Sequence, residues 1–317
     1  MLFQRLCPSP ALDLQRYTDF DHFFESERYV RAESIPLAAR DFSATRATLC
    51  LPSCRLSLVR TFPRIIKGYE LSDRLLVVVP MDEISTARVN GREIGHSLIL
   101  MKGTASCTVF EPETRLVSIL SIDAAMLRHQ WLAFDNGHLL LQLPAAALSR
   151  LQALIISLLE AAAKEPAEVT AADVPRKIQD KLVAGLDEAL SCADRYEPGD
   201  GASLDRYKTI VDRVDEMVGL TPIDLSNQRL ADAIGVSVRT LQKAAFSICG
   251  SGAHHYSRLR RLWSVRHQLR TGAPGLTVKA SALAHGFWHQ SEFSNAYRMA
   301  FGELPSKTLE QARKEKG

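Results

Sequence analysis

Two segments in the last hundred residues repeat one pattern. Ala231-Asp-Ala-Ile-Gly235-Val-Ser-Val-Arg-Thr-Leu241 returns as Ala282-Leu-Ala-His-Gly286-Phe-Trp-His-Gln-Ser-Glu-Phe293. In each copy a small Ala stands four residues before a Gly, and an apolar residue follows the Gly by six or seven. A small side chain lets two helices cross closely. The Gly closes a short turn where a positive φ costs little only without a Cβ. The later Leu or Phe anchors the second helix on the first. The two glycines are 51 residues apart, which leaves room for a connecting helix at about Tyr256 to Leu269. The pattern predicts two helix-turn-helix units in one all-α segment.

Charge singles out the same segment. Residues 221–317 hold 14 Lys/Arg against 6 Asp/Glu, whereas 1–220 hold 25 against 30. A basic unit on a mildly acidic body suggests a polyanionic partner; a solvated basic surface is the plainer reading. With 46% hydrophobic and 24% charged residues, the 317-residue chain has the balance of a globular protein rather than a disordered or collagen-like one. Its length suggests two domains with a connector. No membrane span is expected, since no apolar run reaches the ~18–20 residues needed. The N-terminus shows no secretory signal, and six scattered cysteines fit a reducing, cytoplasmic setting.

Further residues connect the two copies: Gly250-x5-Tyr256-x-Arg258-x2-Arg261-Leu262, then Gly286-Phe287-Trp288-His289, Phe293-Ser294, Tyr297-Arg298 and Phe301-Gly302-Glu303-x-Pro305-Ser306. Over about 100 residues this resembles the AraC family of transcription regulators. The chain departs from the family pattern at Gly252-Ala253, where Ser-Pro is usual, and at Ala245, where Phe is usual. The resemblance implies a regulator of transcription, not an enzyme, binding double-stranded promoter DNA with each second helix in a major groove. A homodimer working as an activator with RNA polymerase is the implied mode. The first recognition helix would start near Ser237 and offer Arg239, Thr240, Gln242 and Lys243. The second would offer Ser291 and Asn295 to bases. His289, Gln290 and Arg298 would hold phosphates. Arg258, Arg260 and Arg261 lie on the connector, where they either meet DNA or cover apolar surface.

The N-terminal part reads differently. Residues 1–48 show no firm period. Between 55 and 122 short runs alternate with turns: Arg55–Arg60, Leu75–Val79, Ile84–Val89, His96–Met101, Cys107–Phe110 and Leu116–Ile122. Asn90-Gly91 is a type I′ hairpin signal. Short strands with tight turns predict an antiparallel β-barrel or sandwich. Leu148, Leu151, Ile155 and Leu158 then form a helical seam, as do Val174, Ile178, Leu182, Leu186 and Leu190, with Asp173 as a candidate N-cap. This helical hairpin is either internal core or a dimer contact. The overall reading is α+β: a cupin-like barrel over 1–145, a hairpin expected to dimerise over 146–202, and the double helix-turn-helix over 203–317.

Candidate chemistry in the barrel is sparse. His96 is alone among the strands, so no metal is expected, nor any cofactor. No Gly-x-Ser-x-Gly or Walker loop occurs. Arg60-Thr61-Phe62-Pro63-Arg64 follows a strand and places two guanidinium groups four residues apart. Arginine forks onto phosphate and onto guanine, and its plane stacks on purines. The segment resembles the Arg-x3-Arg element of cyclic di-GMP receptors of the PilZ type and of cupin-type AraC-like regulators responsive to that nucleotide. The implied effector is cyclic di-GMP at Arg60, Thr61, Phe62 and Arg64. Another small metabolite is the alternative, and a cupin enzyme or a regulator controlled by a partner protein are more remote ones.

Overall fold

The computed structural model describes residues 2–26, 30–37, 42–71, 74–82, 86–127, 129–164, 174–196, 201–220 and 226–315. Asp173, Ile84 and Ser85 lie outside them. Thirteen strands form two antiparallel sheets among the described residues: β1 (Leu12–Tyr17), β2 (Val30–Pro36), β3 (Ala44–Cys50), β4 (Cys54–Arg60), β5 (Arg64–Leu71), β6 (Leu75–Pro80), β7 (Arg88–Val89), β8 (Arg92–Glu93), β9 (Leu98–Lys102), β10 (Thr104–Glu111), β11 (Leu116–Ile122), β12 (Gly137–Gln142) and β13 (Asp194–Arg195). The larger sheet has the order β1-β3-β4-β11-β6-β9-β12-β13 and the smaller β2-β5-β10-β7-β8. The strands do not close into the expected barrel: each sheet keeps its own edges. Strand β5 was not legible, because Pro63 and the polar Arg64 and Lys67 mask its apolar residues. The Asn90-Gly91 turn forms as expected, with φ of 50° and 79°.

Strand pleat gives each sheet two different faces. On one face of the larger sheet, Leu12, Ala47, Leu49, Leu56, Leu58 and Leu120 form a fully buried apolar layer. Helices α2 (Ala145–Lys164) and α3 (Val174–Ser191) cover it. Their seams, Leu151 and Ile155 on one and Leu182, Leu186 and Leu190 on the other, lie in that same core. The hairpin seam is therefore internal rather than a subunit contact. Helix α2 is also long and apolar enough to cross a membrane by length and composition, contrary to the sequence expectation. Here its apolar seam is covered by the sheet.

The opposite face of the larger sheet looks toward the smaller sheet. The smaller sheet divides in the same way. Ser34, Ile66 and Val109 align in one row, and Ile35, Ile65 and Phe110 in the next. Ile65 and Phe110 pack into a core with helices α4 (Gly201–Leu220), α5 (Asn227–Ile234) and α6 (Val238–Cys249). Ile35 packs against α7 (Ala253–Arg270) and residues of α8 (Val278–Ala284), α9 (Gln290–Phe301) and α10 (Pro305–Lys314). The layers thus run hairpin, large sheet, small sheet, helical domain. The short helix α1 (Phe20–Glu25) sits at the edge, capped by Asp19, which accepts the His22 N–H at 2.9 Å.

Candidate nucleic-acid interface and effector cavity

The two repeats fold alike down to single hydrogen bonds. In the first, α5 ends at Gly235 in the left-handed region, φ 77°, and the Val236 N–H donates to the Ala231 carbonyl at 2.9 Å. In the second, Gly286 has φ 78°, and the Phe287 N–H donates to the Ala282 carbonyl at 2.9 Å. Ala231 and Ala282 are fully buried, as the close crossing requires. Leu241 and Phe293 anchor the second helices. Helix α7 joins the two units.

Ser237 caps α6: its hydroxyl accepts the Thr240 N–H at 3.1 Å and bonds the Thr240 hydroxyl at 2.8 Å. Arg239 and Lys243 are exposed. Gln242 is turned away from the face expected for it. It is half-buried, and its Oε1 accepts the Ala253 N–H at 3.2 Å. Gly252 at the N-cap of α7 has no side chain to do this, so Gln242 supplies the missing cap. On α9, Ser291, Asn295 and Arg298 are exposed, as is His289 at the N-cap, while Gln290 is half-buried. Counting from the N-caps Ser237 and His289, Arg239 corresponds to Ser291 and Lys243 to Asn295. The two helices therefore present side chains at equivalent positions.

The connector arginines face the protein. Arg260 pairs with Asp215 at 3.0 Å and with Glu33 of β2. Burial opposes its charge, but Asp215, Tyr256 and Glu33 outweigh burial and raise its pKa. Arg261 is buried over the Phe287 ring, 5.1 Å from its centroid. Arg258 is half-buried.

Between the sheets lies a cavity of about 1060 Å³, to whose lining α7 contributes Trp263, Ser264 and His267. Its wall is mainly apolar, including Ile66, Val78, Ile99 and Met101, with Arg64, Glu111 and Arg115 as a charged cluster. Arg64 donates from Nε to Glu111 at 2.7 Å, and Arg115 lies 3.9 Å from Glu111 and 3.4 Å from Asp82. Arg60 and Arg64 are not brought together. Arg60 ends β4 in the large sheet and is exposed; Arg64 begins β5 in the small sheet and is buried. The chain crosses between layers at this point, so the two guanidinium groups face different environments. Thr61 is fully buried and accepts the Arg115 N–H at 3.1 Å. Phe62 belongs to an aromatic cluster with Phe20, Phe23 and Phe42. Glu111, Arg115 and the α7 lining residues were not found from the sequence. Glu111-x3-Arg115 is an ordinary strand end, and no local signal marks it.

Residues 230–311 match the helix-turn-helix domain family. The chain is 38% identical over 93 residues to the XylDLEGF operon transcriptional activator of Pseudomonas putida, covering 29% of each protein. It is 32% identical over 104 residues to XylDLEGF operon transcriptional activator 2 of the same organism, covering 32% of this chain and 64% of that one. The chain thus spans under a third of the length of the first curated relatives it matches. Among solved structures, a probable AraC family transcriptional regulator from Rhodopseudomonas palustris CGA009 is 32% identical, covering 33% of this chain and 98% of that one, with TM-score 0.30. The AraC-like transcriptional activator CuxR is 16% identical over 86% of this chain and 99% of its own, with TM-score 0.40. The last third of the chain thus contains a helix-turn-helix domain that is similar in sequence to part of these transcriptional activators.

Proposed function

We propose that this chain regulates transcription by binding promoter DNA with α6 and α9, under the control of a small molecule held between its two sheets. One observation carries the first half. Two helix-turn-helix units share the same turn bond, and both leave the start of the second helix exposed. Arg239 and Lys243 suit guanine, and Asn295 suits adenine. The description of the relatives as activators supports activation, with a dimer on adjacent sites and contact to RNA polymerase.

The test is binding of the full chain to duplex libraries across a salt series. Affinity falls steeply with salt, because phosphate contacts release counterions. Asn295→Ala relaxes base preference at one position by ~1–3 kcal/mol. Arg298→Ala weakens all sequences alike. A flat salt response, or unchanged preference in both Asn295→Ala and Lys243→Ala, rejects the reading.

For the effector, the cavity is the supporting observation: both sheets and the connecting helix line it. Cyclic di-GMP is supported by Arg64 on its wall. Calorimetry of that nucleotide with wild type, Arg60→Ala and Arg64→Ala separates the cases. Loss in Arg64→Ala alone places it in the cavity, and loss in both places it on the Arg60–Arg64 segment. No heat with wild type leaves another small metabolite as the effector.

A further inference from the structure

The cavity between the sheets is apolar over most of its wall and polar at one end. Ile66, Val78, Ile99, Met101, Val109 and Ile119 belong to the apolar part. Strand register puts Ser34, Ile66 and Val109 in one row of the small sheet, and Pro36, Arg64 and Glu111 in the row two residues along. Side chains two residues apart on a strand share a face, about 7 Å apart. Ser34 and the Arg64–Glu111 pair therefore form one polar end, which Arg115 joins 3.9 Å from Glu111.

The charges on this wall already have partners. Its Arg and Glu side chains are Arg64, Arg115, Glu33 and Glu111. Arg64 pairs with Glu111 at 2.7 Å, Arg115 with Asp82 at 3.4 Å, and Glu33 with Arg260 of α7. Burial pushes the Cys107 thiol of the wall up to about 11, so it too is neutral. An ionised ligand would have to take a partner from one of these pairs. Two hydrogen-bonding atoms are left over. Arg115 Nε and Ser34 Oγ are buried and have no hydrogen-bond partner among the described residues. Burying a donor without an acceptor is costly. The guanidinium can only donate, and the serine hydroxyl can donate as well.

We infer that the cavity takes an uncharged lipophile with one carbonyl group. The carbonyl oxygen, with two lone pairs, is the acceptor that these donors lack. The apolar body lies along the Ile66, Val78 and Ile99 part of the wall. The inference rests on the reading of this cavity as the effector site, and it gives a class to the metabolite that is the alternative to the dinucleotide. A dianionic dinucleotide sets two phosphates against arginines that are already paired. Trp263, Ser264, His267 and Gln268 of α7 line the same space, so the ligand touches the helix that joins the two helix-turn-helix units.

The experiment follows N-phenyl-1-naphthylamine, an uncharged fluorescent lipophile without a carbonyl group, on the full chain at pH 8. Its binding changes tryptophan emission, and Trp263→Phe removes that change, which places it in this cavity. The competitors are 2-undecanone, decanoate and cyclic di-GMP. The expected result is displacement by the ketone, with decanoate weaker by ~10-fold or more and no displacement by the dinucleotide. Ser34→Ala and Arg115→Lys, which removes Nε but keeps the charge, each weaken the ketone by ~3- to 10-fold. Neither changes the affinity of the naphthylamine, which has no acceptor for them. Ser34→Ala removes only an unpartnered hydroxyl and melts no lower than wild type, so it remains a test if Arg115→Lys does not fold. A probe that does not bind, or that binds without the Trp263 signal, overturns the cavity as the effector site. A probe bound there that the ketone does not displace overturns the class alone. So does displacement by decanoate or cyclic di-GMP at the ketone's concentration, or ketone binding unchanged in Ser34→Ala and in any folded Arg115→Lys.

Discussion

Gly250 shows how one residue ties the two halves of this protein together. It ends α6 with φ 69°, a region where a Cβ costs ~1–2 kcal/mol. It also lies under the Phe110 ring of β10: a Cβ there would stand 2.0 Å from Phe110 Cζ. Gly250→Ala is expected to lower the melting temperature by more than the backbone term alone, because the domain contact must open as well. In a Phe110→Ala background, itself destabilised by loss of a core ring, the further loss caused by Gly250→Ala should be smaller than in wild type; an equal loss in both backgrounds would show that Phe110 has no part in it. His138 is a second local case. Burial, followed by the charges of Arg92 and Lys208, holds its pKa below the usual 6.5. Above pH 6.5 the imidazole is neutral in both folded and unfolded chains and contributes no pH dependence. As pH falls below 6.5 the unfolded chain takes up the proton first, so stability declines toward the lower folded-state pKa. Denaturation at pH 7.5 and 5.5 should show this decline reduced in His138→Gln.

At the scale of elements, what was legible depended on whether the signal was local. Each helix-turn-helix is specified within a dozen residues by its small crossing residue, glycine turn and apolar anchor, and both formed as read. Gln242 was misplaced because its partner, the Ala253 N–H, lies in another helix. No pattern within α6 reveals that Gly252 leaves that end uncapped. The hairpin seams were visible as periodicity, but periodicity does not say what covers a seam. The large sheet does so, and this gives a direct prediction. Leu186 is fully buried between α3 and the sheet. Leu186→Ala should cost ~2–5 kcal/mol of unfolding free energy, with no dependence on protein concentration. A dimer seam would instead weaken with dilution. Arg60 and Arg64 were misjudged for a related reason. Four residues of separation look like proximity, but the chain changes sheets between them.

At the scale of the whole molecule, part of the basic charge that pointed to nucleic acid is used inside the protein. Arg260, Arg266 and Arg270 all project from α7 onto carboxylates of the N-terminal unit: Glu33, Asp21 and Glu25. Arg266 is the most buried of them, and also pairs with Glu303 at 2.9 Å and stacks over the Phe301 ring at 4.9 Å. Asp21 is shared by Arg266 and Arg270. Replacing it by Asn keeps the shape but strands part of the charge on Arg266. Breaking a buried pair from one side costs ~3–5 kcal/mol, and Glu303, which stays in place, keeps the loss toward the low end. The cost falls on the contact between units rather than on either core, since Asp21 lies in α1 and both arginines lie in α7. Scanning calorimetry of Asp21→Asn should therefore resolve two transitions where wild type shows one. Glu303→Gln, whose carboxylate pairs with Arg266 within the helical domain, should lower one transition without separating them. If Asp21→Asn melts as a single transition at the wild-type temperature, α1 does not hold the two units together, and the apolar contacts of Ile35, Ile65 and Phe110 do so alone.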